Sequence, residues 1–528
     1  MLSGKTSGLT PGRTAVLIAS LSIVGPPVAI FLWEAAAGLA SGGAFWEPLF
    51  SWGLFARSVS IAAASAAVAS VIGAFAGMAA GRLSRRAAAL MLFVFVVPLA
   101  APAGLHAYVW RNVALSAGLL GDFFVEGGRA AVNVCGAVLS LVSAYWTIPA
   151  LAAFAVTAGA GKRYEVEARP FAPAGVAARR VLLALVVPAV AAAGGLVFVL
   201  SFGDYSSTPL WQINTYPVEI LSLYTVFYEP RMAAAAALVP SAVTGLAAAA
   251  TFLAAGRALS RADVDKAQVD RQVLWRPGAI MKCALGALVA ALVGMPLATS
   301  AYWTWKAGLK IGEVLSAAKS FGGTLAVAAA AAAAAALLAA LVAAAGRQRR
   351  GGWDKALVLI SLAAFLLPAA GVGHAVKAIS QWRAVPESFA STTAAFGYAL
   401  AGRFFAVPLV LCAAAAGRID KRYRDLVEIS GVRRLWRLFV AYGPFVVPAA
   451  AAGLVVATDL GISELPIAVL AAPPGAQPIS MHLSNLMHYA HQGEAFAAAL
   501  AMMLGASAVV TGALGVTWRI WKRYLPSH

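Results

Sequence analysis

The chain has 528 residues, of which 61% are hydrophobic and only 12% charged, about half the charged share of an average soluble domain. That composition excludes a water-soluble globular fold and predicts a polytopic membrane protein. The formal charge of +19 is dispersed along the borders of apolar runs, which excludes a nucleic-acid-binding face, where basic residues gather on one domain.

Crossing the hydrocarbon takes about 20 residues per span, and backbone groups in lipid must be satisfied within the segment, so the long runs read as helices and not as barrel strands. Twelve spans are predicted, at approximately 14–39, 54–81, 87–110, 131–158, 181–203, 232–256, 278–303, 320–346, 355–378, 390–416, 443–470 and 495–518. The first follows Lys5 and Arg13 and is too long for a signal-peptide core, so it is expected to remain as an anchor. Gly4-Lys5-Thr6 imitates the end of a phosphate loop but lacks the earlier glycine and a leading strand. Cys135, Cys283 and Cys412 fall inside predicted spans, which excludes a disulfide framework or a C-x-x-C metal site.

Roughly 30 of the 40 Lys and Arg lie at the N-terminus or in alternate loops: 82–86, 162–180, 257–276, 347–355, 418–437 and 519–523. The positive-inside rule places both termini and these loops in the cytosol. Asp122, Glu126, Asp204, Glu219, Glu229, Glu464 and Glu494 then fall in loops on the opposite side.

A polar linker at about 257–277 divides six spans from six, giving halves at 1–260 and 261–528. An even number of spans keeps both halves in one orientation. The expected fold is therefore all-α, with two parallel six-helix repeats related by a pseudo-two-fold along the membrane normal. Several features recur in order. Gly175 precedes Pro188, and Gly431 precedes Pro444, by the same 13 positions. The third span carries Pro98, Pro102, Gly104 and His106, and the ninth Pro368, Gly371, Gly373 and His374. Tyr145-Trp146-Thr147-Ile148-Pro149 in the fourth parallels Phe404-Phe405-Ala406-Val407-Pro408 in the tenth. The run Ala328 to Ala336 reads as a close-packing helix face.

Within the loop at about 417–442, residues 418–444 read RIDKRYRDLVEISGVRRLWRLFVAYGP. Its first part has the spacing of a short amphipathic helix that Gly431 ends or bends. A surface anchor on anionic headgroups is the plainer reading. Here the sequence resembles the membrane subunits of binding-protein-dependent ABC importers, whose cytosolic signature has an acid, two small residues, a Gly six positions after the acid, and a later Pro opening the next span. Asp425, Leu426, Glu428, Ile429 and Gly431 match this pattern, with Leu426 and Val427 replacing the small pair. The first copy, at about 159–180, is less regular: Glu167, with Ala168 after it, takes the acidic position ahead of Gly175 only if two residues are inserted, and Pro170 and Pro173 distort a helix there.

The resemblance spans both halves and is nearest to fused double permeases of the iron(III) and thiamine type. Two further stretches carry it: Ser201 to Tyr205 with Tyr216 to Ile220, and Ser463 to Pro466 with Pro473 to Gly475. It implies a permease of the bacterial inner membrane with no cofactor of its own. The implied partners are two copies of a cytosolic ATPase, which would hold ATP and Mg, and one periplasmic binding protein. Ferric iron is the first substrate expectation, followed by thiamine or phosphonate.

His106, His374 and Arg403 are ionisable residues within spans, where burial costs about 2.5–3.5 kcal/mol on insertion scales. His106 and His374, near the outer ends of their spans, either line a pathway or hydrogen-bond between helices; Arg403 favours the latter. His482, His488, His491 and Glu494 do not share a clean helical face, so they read as partner contact and no metal site is expected. Asp204, Glu219, Glu464 and Glu494 are candidates for contact with a binding protein. An ion-gradient-driven secondary transporter is the alternative; it predicts buried mid-span carboxylates, of which the sequence offers almost none. A membrane-embedded enzyme would need a compact polar constellation, which the spans lack.

Overall fold

The computed structural model describes residues 11–41, 52–116, 129–158, 174–261, 277–308, 311–345, 352–417, 419–420, 422, 429, 442–489 and 491–524. Among the described residues the regular structure is helical, with no strand. Among the described residues nine helical stretches are long and apolar enough to cross a membrane, or up to twelve if each of three bent helix pairs is one span. The protein is thus an all-α polytopic membrane protein.

The first half comprises α1 (Pro11–Ala40), α2 (Trp52–Ala80), α3 (Arg85–Leu99), α4 (Ala103–Ser116), α5 (Arg129–Tyr145), α6 (Thr147–Ala158), α7 (Ala174–Phe202), α8 (Tyr216–Thr225), α9 (Pro230–Ala236) and α10 (Leu238–Arg261). The second comprises α11 (Ala279–Val289), α12 (Met295–Lys306), α13 (Ile311–Ala345), α14 (Gly352–Leu366), α15 (Ala369–Ser380), α16 (Glu387–Ser391), α17 (Ala394–Phe404), α18 (Ala406–Gly417), α19 (Gly443–Ile462), α20 (Leu465–Ala471), α21 (Ile479–His488) and α22 (Gln492–Tyr524).

Prolines account for the breaks. A proline has no N–H to bond the carbonyl four residues earlier, and its ring crowds that carbonyl. Pro102 therefore frees the carbonyl of Pro98, and α4 leaves α3 at 90°. Pro368 likewise separates α14 from α15, which turns by 108°. The predicted spans 87–110 and 355–378 are accordingly not straight crossings, and each is a broken span or a re-entrant pair. Pro149 and Pro408 each sit three residues after a single-residue break, at Trp146 and at Phe405. Pro296 displaces the carbonyl of Leu292, and a π-helical turn, Ala290–Gly294, absorbs the extra residue. The predicted span 443–470 also divides: α19 stops at Ile462, Glu464 caps the next helix, and Pro466 occupies its first turn.

Packing follows a common scheme in the two halves. In the first, α2, α6 and α7 pack mutually; in the second, α13, α18 and α19 do so. The approach of α2 to α6 depends on Gly77, where a Cβ would lie 2.1 Å from the Ala150 carbonyl oxygen. The first helices cross over. α1 packs on α9 of its own half but also on α13, α14, α15 and α17 of the other, while α12 packs on α22 of its own half and on α4 of the first. Polar contacts fasten α1 to the second half, among them Arg13 to Asp354 at 2.5 Å, the Tyr398 hydroxyl to the Ser22 carbonyl at 2.6 Å, and His374 Nε2 to Glu34 Oε1 at 3.1 Å.

Candidate functional site

The bends and breaks converge on a cavity of about 170 Å³ walled by both halves. Its polar lining is Tyr145 from α5, Asp204, Tyr205 and Ser206 beyond the end of α7, Ser241 and Thr244 from α10, Arg403 from α17, and Ser463 and Glu464 between α19 and α20. Backbone of the α3–α4 and α14–α15 bends completes the wall through Pro102, Ala103 and Leu366 to Ala370. The two carboxylates occupy comparable places, each just past the C-terminal end of a long span.

Asp204 is fixed by its own turn. Its Oδ1 accepts from the Ser206 hydroxyl at 2.8 Å and its Oδ2 from the Ser207 N–H at 2.9 Å, with the Ser207 hydroxyl also bonded to Oδ2. Glu464 instead faces the Arg403 guanidinium, Nε lying 3.5 Å from Oε2. The same guanidinium donates through Nη1 to the Leu367 carbonyl at the α14–α15 bend, at 2.6 Å.

Protein surrounds both carboxylates while leaving part of each open to the cavity. Burial raises the Asp204 carboxyl above its ordinary value, against the opposing pull of its bonds from Ser207 and Ser206. Burial also raises Glu464, and Arg403 opposes it. The Tyr205 phenol is pushed well up by burial first, then by Glu464, Asp204 and Tyr145. Two carboxylates, two phenols and one guanidinium make an oxygen-rich chamber that holds a net negative charge when both acids ionise. Such a chamber attracts small cations and repels anions.

The histidines lie at the bends. His106 is buried; its Nε2–H donates to the Pro98 carbonyl that Pro102 frees, at 3.1 Å, so Nδ1 accepts from the Ser143 hydroxyl at 3.1 Å. This arrangement is interhelical hydrogen bonding, and His106 does not line the cavity. His374 pairs with Glu34, and its ring lies 5.2 Å from that of Tyr224. Glu34 Oε2 and the Tyr224 hydroxyl are both buried and find no hydrogen-bond partner among the described residues.

Asp204 and Glu464, expected as contacts for a partner, thus face the cavity. Glu219 opens α8 on an exposed groove and accepts from Asn214 at 3.2 Å. Glu494 pairs with His491 at 3.2 Å in the first turn of α22. His482 is half-buried, its imidazole lowered by burial and raised in part by Glu494, while His488 bonds the Ser484 carbonyl at 2.7 Å. Among the described residues no group of three or more His, Cys, Asp or Glu could hold a metal ion. Of the residues expected to couple to an ATPase, Gly175 is the second residue of α7 and Ile429 is 82% exposed. Glu167, Ala168, Asp425, Leu426, Glu428 and Gly431 lie outside the described residues.

Sequence reasoning passed over Tyr145 and Tyr205 as cavity residues. It also passed over Glu34 and Asp459, two carboxylates inside spans; Asp459 Oδ1 is buried without a partner among the described residues. No protein-family model matches this chain, and no curated protein matches it either.

Proposed function

We propose that this chain is the membrane-spanning subunit of an ATP-driven importer, with the cavity between its halves as part of the transit route for a small cation. The observation that carries this reading is the chamber itself. It lies where helices of both halves break, with one acidic residue past the end of each of two comparable spans, α7 and α19. In this reading the halves are parallel six-span repeats about a pseudo-two-fold along the membrane normal, embedded in the bacterial inner membrane with both termini in the cytosol. The loops at about 159–180 and 417–442 dock two copies of a cytosolic ATPase, which binds ATP and Mg, and a periplasmic binding protein delivers the solute. The chain itself hydrolyses nothing. Ferric iron is the favoured solute, since its charge and preference for oxygen ligands suit two carboxylates and two phenols; thiamine is a smaller-charged alternative, and phosphonate would meet the wrong sign of charge.

Glu34 and Asp459 favour one second reading, a secondary transporter driven by an ion gradient, because carboxylates buried within spans are where such proteins bind coupling ions. Gentle purification from the native membrane, followed by mass spectrometry and reconstitution, separates the two. Co-purification of an ATPase with ATP-dependent uptake is the expected result. A chain that emerges alone and transports under an ion gradient without ATP would establish the rival.

A further inference from the structure

The two bends are satisfied by different side chains, and the difference wires only one of them to the cavity. At the first, His106 bonds the freed Pro98 carbonyl from a buried position away from the chamber. At the second, Arg403 holds the Leu367 carbonyl at 2.6 Å and, with the same planar group, faces Glu464 in the cavity wall at 3.5 Å. The bend contact is a short hydrogen bond, whereas Arg403 Nε makes no hydrogen bond to Glu464. The side of Arg403 toward the cavity is therefore the looser one. A cation attracted by Asp204 and Glu464 competes with the guanidinium for the same carboxylate oxygens, and two cations in so small a chamber repel each other.

We propose that Arg403 senses cavity occupancy: a small cation bound between Asp204 and Glu464 displaces the guanidinium from Glu464 and so alters its hold on Leu367 and the angle between α14 and α15. This rests on reading the cavity as a transit site for cations, and it requires no particular energy source.

The test uses the full chain in nanodiscs of zwitterionic lipid with Tb3+ as a hard cation probe, whose emission is sensitised by nearby phenol rings. Spin labels at Leu359→Cys and Trp382→Cys, both exposed positions flanking the bend, report the angle once Cys135 and Cys283 are replaced by Ala. The expected result is sensitised Tb3+ emission that Tyr145→Phe with Tyr205→Phe removes. Binding should tighten about tenfold in Arg403→Gln, from loss of the competing charge, and weaken in Glu464→Gln, while Arg403→Lys stays near wild type. The label separation should shift with Tb3+ in the wild type and not in Arg403→Gln. Absence of sensitised binding, equal affinity in wild type and Arg403→Gln, or the same label shift in both would overturn the proposal. The chain is tested alone, so an ATPase partner that never appears would sink the importer reading and leave this result standing.

Discussion

Trp146 and Phe405 are each the single residue between two helices of one interrupted run, each three positions before a proline, and each fully buried. Trp146 packs edge-on against Phe95 of α3, their ring centroids 5.5 Å apart. The large ring at each break fills the space that the interrupted helix opens beside its neighbours. Trp146→Ala and Phe405→Ala should each cost about 3–5 kcal/mol through the cavity left behind, read as loss of thermal stability in detergent. A loss in only one of the two would show that the breaks are not equivalent in packing.

Gly77 offers a sharper steric test. A methyl group there meets backbone, the Ala150 carbonyl oxygen at 2.1 Å, whereas one at Gly245 meets nothing within 4 Å. Gly77→Ala should lower the melting temperature by several degrees, and Gly245→Ala should hold or raise it. Equal melting temperatures for the two variants would mean that α2 and α6 do not pack this closely.

Asp204 makes stability depend on pH. Burial raises its carboxyl, so the folded chain favours the protonated form. The stability contributed is complete below the ordinary carboxyl value of about 3.9 and is lost as pH rises through the raised value. Asp204→Asn cannot titrate at this position. The melting temperature of Asp204→Asn minus that of the wild type should climb with pH across this window, and a difference flat from about pH 4 to about pH 8 would contradict the burial.

His374 and Glu34 should behave as one unit. Removing His374 takes the one hydrogen-bond partner that the part-buried Glu34 carboxyl has among the described residues, so His374→Ala should cost about 1–3 kcal/mol. The double variant with Glu34→Gln should cost less than the sum of the singles. Additive losses in unfolding experiments would show that the pair is not formed.

In the proposed importer reading, the loop at about 417–442 docks the ATPase. Gly431→Pro and Asp425→Arg should abolish ATP-driven uptake while leaving membrane insertion intact. Normal uptake in both would remove the loop from the coupling role.

Much of the helical framework was legible because hydrophobicity alone decides it: the run at 54–81 is α2, whereas the runs at 131–158 and 390–416 read as continuous and are interrupted at Trp146 and Phe405. Bend angles were not legible, because a proline says that a helix is interrupted and not where the chain goes next. Asp204 and Glu464 were legible as acids beyond the ends of spans, but their meeting in one chamber depends on which helices lie side by side. Glu34 was lost within a run whose apolar neighbours dominate it, and its meaning appears only when His374 arrives from the other half.

The crossing of α1 also dictates an order of events during synthesis. Glu34 enters the membrane early, but its partner follows 340 residues later, a delay of roughly 20 to 70 s at about 5–20 residues per second. Throughout that interval the carboxyl group has neither its imidazole nor α15 beside it, and a polar group without its partner is costly at membrane depth. The first half released alone would never acquire that partner, so the pairing of Glu34 is a property of the completed chain.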